Sequence, residues 1–302
     1  MKKFITWTLI FMLPVFLAGF AYELLLRRIP NDYMLKKQYL DENAHRVKTL
    51  FLGSSHTFYG INPDFFPGTS FNAGYVFQSL DLDLAILEKY ADRWDSLQQI
   101  VVPVDYFSLY ARMSTGSEAW RVKNYNLYWG LKRSNNIVEN SEVLTNPLNT
   151  NSKRFLGHYL YHESFITSSE KGWGMGYDST RELDISGKSA AERHLAANDK
   201  QVSKNLEYLT RILDFAAARK IKVILITSPA WRAYVENLDP VQLGRTTRAA
   251  DSLAARYSNT VYFNRLADSS FTAEDFYDGD HLNSRGAKKF TLKLDSMIRS
   301  AE

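Results

Sequence analysis

Positions 4 to 22 form an unbroken run of 19 uncharged, mostly apolar residues. Lys2-Lys3 precede it, and Arg27-Arg28 follow after Glu23-Leu24-Leu25-Leu26. At about 1.5 Å per helical residue such a run approaches the ~30 Å hydrocarbon thickness of a bilayer. Pro14 and Gly19 would weaken a soluble helix but are tolerated in a membrane span. The small residues Gly19 and Ala21 also suit a cleaved signal peptide, yet Leu24 to Leu26 carry the apolar run past that point and favour an uncleaved anchor. Residues 1–28 therefore predict a single-pass signal-anchor, with the rest of the chain on one side of the membrane. Positive charge at both ends leaves orientation undecided by that rule; export of the large domain is the expectation.

A polar stretch, 29–46, reads as a linker. Beyond it, short apolar runs alternate with helical spacing. Val47–Leu52 leads into Gly53-Ser54-Ser55-His56, and a weaker strand, Thr69–Asn72, ends at Ala73-Gly74. Leu80, Leu84, Leu87, Ala91 and Trp94 step at helical intervals towards the strand Ile100–Val104, which ends at Asp105. Val202, Leu206, Leu209, Leu213 and Ala216 repeat that stepping before Val223–Ile226, which ends at Thr227-Ser228-Pro229. A helix near 239–256, a strand Val261–Phe263 and a final helix marked by Ala287, Phe290, Leu294 and Met297 complete the pattern, with Asn283 or Ser284 as its cap. Five strands separated by helices predict an α/β fold with a doubly wound parallel sheet, and continuous apolar strands imply helices on both faces. Right-handed crossovers then collect Ser55, Gly74, Asp105 and Ser228 on one sheet edge, where such folds bind ligands. Residues 107–198 break the alternation, are polar, and contain Trp120, Trp129, Trp173 and many tyrosines. They predict an inserted cap, whose aromatics would pack it or stack on sugar rings.

The 302 residues hold 37 Lys+Arg against 33 Asp+Glu, a formal charge of +4, and no cysteine. Lys2, Lys3, Arg27 and Arg28 against Glu23 account for three of the four net charges. The basic excess thus belongs to the membrane segment, and no nucleic-acid partner is expected. Without cysteine there is no disulfide, no thiolate metal site and no thiol nucleophile.

Chemistry concentrates in two places: Gly53-Ser54-Ser55 after the first strand and Asp278-Gly279-Asp280-His281 before the last helix. An activated serine needs a base, and the base an orienting carboxylate. The turn between Asp278 and His281 lets the carboxylate fold onto one ring nitrogen and leaves the other for a serine. Backbone N–H groups at Ser55 and Gly74 are candidate oxyanion donors, glycine allowing close approach. His56 reads as a pocket wall, because adjacent side chains at a turn diverge, and Asp280 as a turn or cap residue. Asp105, Ser228 and Trp231 are expected to line the pocket. His45, His158, His162 and His194 have no partner pattern and are expected to face solvent or the cap. Asp278, Asp280 and His281 lack the remainder of a ligand set, so neither a metal nor another cofactor is expected.

LFLGSSHTFYGINP, FNAGY and DGDHLNSRGAKKF resemble blocks I, II and V of the SGNH (GDSL-type) hydrolase superfamily, and are most similar to its membrane-anchored acyltransferase-like branch. That branch includes teichoic-acid D-alanyl-transfer and alginate O-acetylation proteins. The resemblance implies a flavodoxin-like α/β/α sandwich over roughly residues 47–300, Ser55 as nucleophile, Asp278 and His281 as its partners, and Gly74 as an oxyanion donor. Two features depart from the superfamily pattern. Block I has Gly-Ser-Ser for Gly-Asp-Ser, as in the transferase branch, and VVPVDYFS replaces the block III Gly-x-Asn-Asp. Asp105 or an insertion residue then shapes the site, or the oxyanion hole rests on two backbone donors. The expectation is an extracytoplasmic acyltransferase or esterase acting on O-acyl, chiefly O-acetyl, groups of a cell-surface glycan or a small acyl ester. A membrane-bound acyl-donor protein is its expected partner. The missing asparagine keeps open a non-catalytic polysaccharide-assembly or binding protein of the same fold.

Overall fold

The computed structural model describes residues 1–301. Five strands, β1 (Thr49–Phe51), β2 (Ser70–Asn72), β3 (Gln99–Pro103), β4 (Lys222–Thr227) and β5 (Thr260–Asn264), form one sheet in the order β2-β1-β3-β4-β5. Every pairing is parallel, with Thr49 opposite both Ser70 and Gln99, Gln99 opposite Lys222, and Val223 opposite Thr260. This is the flavodoxin-like doubly wound order, and its switch point lies between β1 and β3. The principal helices are α1 (Lys2–Arg27), α2 (Asp32–Asn43), α3 (Ser55–Gly60), α4 (Leu80–Lys89), α5 (Glu142–Thr145), α6 (Leu148–Tyr159), α7 (Leu183–His194), α8 (Val202–Ala218), α9 (Pro240–Arg256) and α10 (Ser284–Ser300).

The chain divides into two packed units, residues 1–37 with 117–166, and residues 38–116 with 167 to the C-terminus. The second holds the sheet. Phe51, Val101, Ile224 and Ile226 meet Phe290, Leu294 and Ile298 of α10 in one core cluster. The alternate residues Leu50, Ile100, Val102, Val223 and Leu225 are equally buried, so both faces of the sheet are covered. Each large apolar side chain buried here contributes roughly 1.5–3 kcal/mol. Asn283 caps α10: its side chain accepts from Gly286 N at 3.0 Å and donates to Glu274 O and Phe276 O. The cap thereby fixes the loop just before the helix, which carries Asp278 and His281.

In the first unit α1 is a 26-residue helix, long and apolar enough to cross a membrane. Its C-terminal end carries Glu23, whose carboxylate accepts from Glu142 N at 3.0 Å and Val143 N at 2.8 Å and so caps α5. Glu142 is itself fully buried and takes bonds from Lys123 Nζ at 2.6 Å, Arg154 Nη1 at 2.8 Å and the Tyr128 hydroxyl. Burial raises the pKa of that carboxyl, and the two cations outweigh it and hold the group below its ordinary range.

Two expectations of organisation change. The linker 29–46 contains α2, whose buried positions include Tyr33, Lys36 and Leu40 at spacings of three and four; a lysine on the buried stripe hides the helix from an apolar-pattern reading. The insertion expected at 107–198 is not one body. Residues 117–166 pack with the N-terminal segment, whereas 107–116 and 167–198 belong to the sheet unit.

Candidate active site

β1 ends at Phe51, and Gly53 turns the chain into α3 with φ +116°. A Cβ at Gly53 would lie 2.1 Å from Pro103 Cγ, so only glycine lets the turn pass the end of β3. Ser54 is the N-cap of α3, and Ser55 begins the helix at the sheet's C-terminal edge. From the other side, the loop before α10 brings His281 Nε2 to 2.9 Å from Ser55 Oγ. His281 Nδ1 lies 2.9 Å from Asp278 Oδ1, which also accepts from the backbone N–H of His281 (2.8 Å) and Asp280 (3.2 Å). That loop approaches α7 closely: a Cβ at Gly279 would meet Gly187 Cα at 2.1 Å. Serine, histidine and aspartate form one hydrogen-bonded line, a geometry suited to removing the serine proton.

Beneath that line lies a second, buried one. His56 Nδ1 is 3.0 Å from Asp105 Oδ2, and its Nε2 is 3.4 Å from Asp280 Oδ2. Asp105 Oδ1 accepts from Ser228 N at 2.8 Å. Asp280 Oδ1 stands 3.5 Å from His281 Nδ1. Burial lowers the pKa of His56, but Asp105 and then Asp280 outweigh it and hold the imidazole up to about 10. His56 is therefore a cation between two carboxylates. Asp280 is held well below the ordinary carboxylate range: burial opposes this, and His281, His56 and His194 overcome it. His56, Asp280 and His281 present ligand atoms close enough together to hold a metal. Every ring nitrogen in the set already faces a hydrogen-bond partner, however, and the cluster reads as an ion-pair network.

A cavity of about 470 Å³ opens beside Ser55 and reaches Asp278, Asp280 and His281. Tyr177 lines it, stacked between Tyr59 and Tyr277 with ring centroids 3.7 Å from each. Phe77, Leu80 and Tyr110 form an apolar wall. Asp83 also reaches the cavity; it accepts from Gly53 N at 2.8 Å and Gln78 Nε2 at 2.6 Å, and burial pushes its carboxyl up to about 7.

The expected triad residues Ser55, Asp278 and His281 thus come together; several other expected positions lie elsewhere. The N–H of Gly74 donates to Asn72 Oδ1 at 3.0 Å and is committed there. Its missing side chain serves a backbone approach instead, since a Cβ would sit 2.9 Å from Gly53 O. Among the described residues no acceptor takes the N–H of Ser55, which remains available at the site. His56, Asp105 and Ser228 lie in the buried layer behind the cavity rather than on its wall. Trp231 is away from the cavity, with Nε1 donating to Asp184 Oδ1 at 2.6 Å and its ring against Phe276. Asp280, read as a turn residue, is central to the charge network.

Three contributors were missed in the sequence. His194 lines the cavity, with Nδ1 2.8 Å from the Tyr234 hydroxyl and its ring 4.4 Å from Phe107. Burial, reinforced by His56 and His281 and opposed by Asp280, brings it down to about 4, so it is neutral near pH 7. Its signal was its place on the buried stripe of α7, after Leu183, Gly187, Ala190 and Ala191. Asp83 follows Leu80 by three on the buried face of α4. Tyr177 carried no signal.

No protein-family model and no curated protein matches the chain. Solved structures of similar fold include the following three. A GDSL-like lipase from Bacteroides thetaiotaomicron is 14% identical, with 89% of this chain and 100% of that one covered at a TM-score of 0.44. A protein from Bacteroides fragilis described as a candidate acylhydrolase is 12% identical, with 88% and 96% covered at 0.41. A protein from Streptococcus pneumonia described as a candidate platelet activating factor is 12% identical, with 87% and 92% covered at 0.42.

Proposed function

We propose that this protein is an SGNH-type serine esterase or acyltransferase, tethered by α1 and acting outside the cytoplasm on O-acyl, chiefly O-acetyl, groups of a cell-surface glycan. The observation that carries the reading is the Ser55–His281–Asp278 line, with both hydrogen bonds at 2.9 Å. Ser55 Oγ attacks the acyl carbonyl carbon while His281 Nε2 takes its proton. Asp278 holds Nδ1–H, which fixes the tautomer and stabilises the imidazolium. The N–H of Ser55 receives the developing oxyanion. His281 then returns the proton to the departing alkoxide, leaving an ester on Ser55. Water or a glycan hydroxyl, deprotonated by His281, resolves that ester. The 470 Å³ volume accommodates a sugar ring beside the acyl carbon, against the edges of Tyr59 and Tyr177, whose faces are taken by their own stack. The anchor favours transfer, since it would hold the site near a membrane-bound acyl donor.

Two observations favour a second reading, a non-catalytic glycan-binding protein: the Gly74 N–H is bonded to Asn72, and block III has no asparagine. Loss of one oxyanion donor costs about 10²–10³ in rate in a serine hydrolase, so a slow enzyme is the alternative consequence. The test incubates the full chain in detergent with an acetyl-ester donor and an oligosaccharide acceptor. Acetylated sugar, abolished by Ser55→Ala, supports transfer; acetate alone, abolished by the same change, supports hydrolysis. Neither product above the Ser55→Ala background supports the binding reading.

A further inference from the structure

The unit formed by residues 1–37 and 117–166 leaves a set of large apolar side chains uncovered around α5 and α6. Leu144 is 54% exposed, Leu148 72%, Leu156 45%, Leu160 60% and Tyr161 65%. Five such residues within eighteen positions exceed the scattered apolar exposure of an ordinary soluble surface. Their position is fixed by contacts to one end of α1. The Tyr22 ring lies 5.5 Å from Phe155, the Tyr159 hydroxyl donates to Leu25 O at 2.9 Å, and Arg27 Nη2 donates to Asn140 O at 2.7 Å. Glu23 caps α5 as described.

Depth follows from the helix rise. From Phe4 to Glu23 the chain climbs about 29 Å at ~1.5 Å per residue, which consumes the ~30 Å hydrocarbon layer. The stretch Tyr22–Arg27 therefore falls where hydrocarbon gives way to headgroups, and α5 and α6 are pinned to that stretch. Arg28 and Lys153 are exposed in the same unit, in keeping with an anionic headgroup layer. Glu142 is buried and neutralised by Lys123 and Arg154, whereas Glu163, exposed beside Gly157 of α6, offsets one of the exposed cations, so apolar burial rather than charge carries the contact.

We infer that the α5–α6 segment, residues 144–161, lies in the headgroup region of the bilayer that α1 crosses, a second membrane contact beside the span. The inference rests on the reading of α1 as that span. An amphipathic segment in the interface supplies apolar burial that a single helix does not, and fixes the rotation of the unit about the span.

The absence of native cysteine permits a direct test on the full chain. Single-cysteine variants Leu148→Cys, Leu156→Cys and Leu160→Cys are labelled with an environment-sensitive fluorophore and placed in phosphatidylcholine–phosphatidylglycerol vesicles. Phe11→Cys in the span is the reference. Stronger quenching at 148, 156 and 160 by lipids spin-labelled near the headgroup than by mid-chain labels, with the reverse at 11, is the expected result. Labels at 148, 156 and 160 that stay unquenched while 11 is quenched overturn the inference and leave the span intact. Blue-shifted but unquenched labels at those sites also overturn it, by showing a protein partner or second copy as the cover. An unquenched label at 11 removes the span itself and the inference with it.

Discussion

Replacing His56 with phenylalanine keeps an aromatic ring of similar size and removes the cation between Asp105 and Asp280. Asp105 would retain its bond from Ser228 N. Asp280 would retain only His281 Nδ1, 3.5 Å from Oδ1 and already bonded to Asp278, and His194, 4.0 Å from Oδ2. Stripping one partner from a buried ion pair costs about 3–5 kcal/mol. An imidazole held charged to about 10 rather than 6.5 corresponds to roughly 5 kcal/mol, the same order. The 3.4 Å contact to Asp280 is long, so a loss near 3 kcal/mol is expected. The pH dependence has a definite sign. A raised histidine pKa stabilises fully below the unfolded-state value and loses that contribution as pH rises through the folded one. The gap between wild type and His56→Phe should therefore be widest near pH 6 to 6.5 and narrow towards pH 10. Urea midpoints of the full chain in detergent, followed by tryptophan fluorescence from pH 6 to 10, read it directly. Adding Asp280→Asn should recover part of the loss, because the unpaired charge is gone. Equal midpoints for wild type and His56→Phe across that range would refute the buried cation.

Other changes test neighbouring parts. Asp278→Asn should keep the fold and lower ester turnover by about 10³–10⁴, because the amide no longer fixes the His281 tautomer; kcat with unchanged circular dichroism checks it. Gly53→Ala should destabilise by more than about 2 kcal/mol, since the Cβ overlaps the Pro103 ring at a positive φ; thermal melts decide, and a shift under 1 °C would contradict the clash. Asp83→Asn mimics the protonated acid that burial favours up to about pH 7. A raised acid pKa withdraws stability as pH climbs from about 4 to 7, so the variant should gain on wild type above pH 7 and not at pH 4, as melts at the two pH values would show.

The five strands and the helices α4, α8, α9 and α10 are legible from continuous apolar runs and helical spacing, whereas α6 and α7, whose buried positions are mostly Asn, Gly and Ala, do not stand out in the polar stretch 107–198. Ser55, Asp278 and His281 were legible because each sits beside a strand end or helix cap that topology places on one edge. The inner layer was not, because its meaning depends on burial. Asp280 looks like any turn aspartate until His56 is found 3.4 Å away, across a separation of 224 residues. Gly74 makes its close approach to the Gly53 carbonyl, and its N–H donates to Asn72 Oδ1, a pairing that no local sequence pattern displays. α2 resembles a polar linker in sequence because Lys36 interrupts its buried stripe; burial brings that lysine down to about 7, with Asp32 opposing.

The central claim is that Ser55 is a nucleophile activated by His281. It is tested most directly by incubating the full chain with a fluorophosphonate near pH 8 and locating the adduct by peptide mass spectrometry. The expected result is one covalent phosphonyl group on the peptide containing Ser55, lost in Ser55→Ala and strongly slowed in His281→Ala. An unlabelled wild-type chain, or equal labelling after Ser55→Ala, would contradict it.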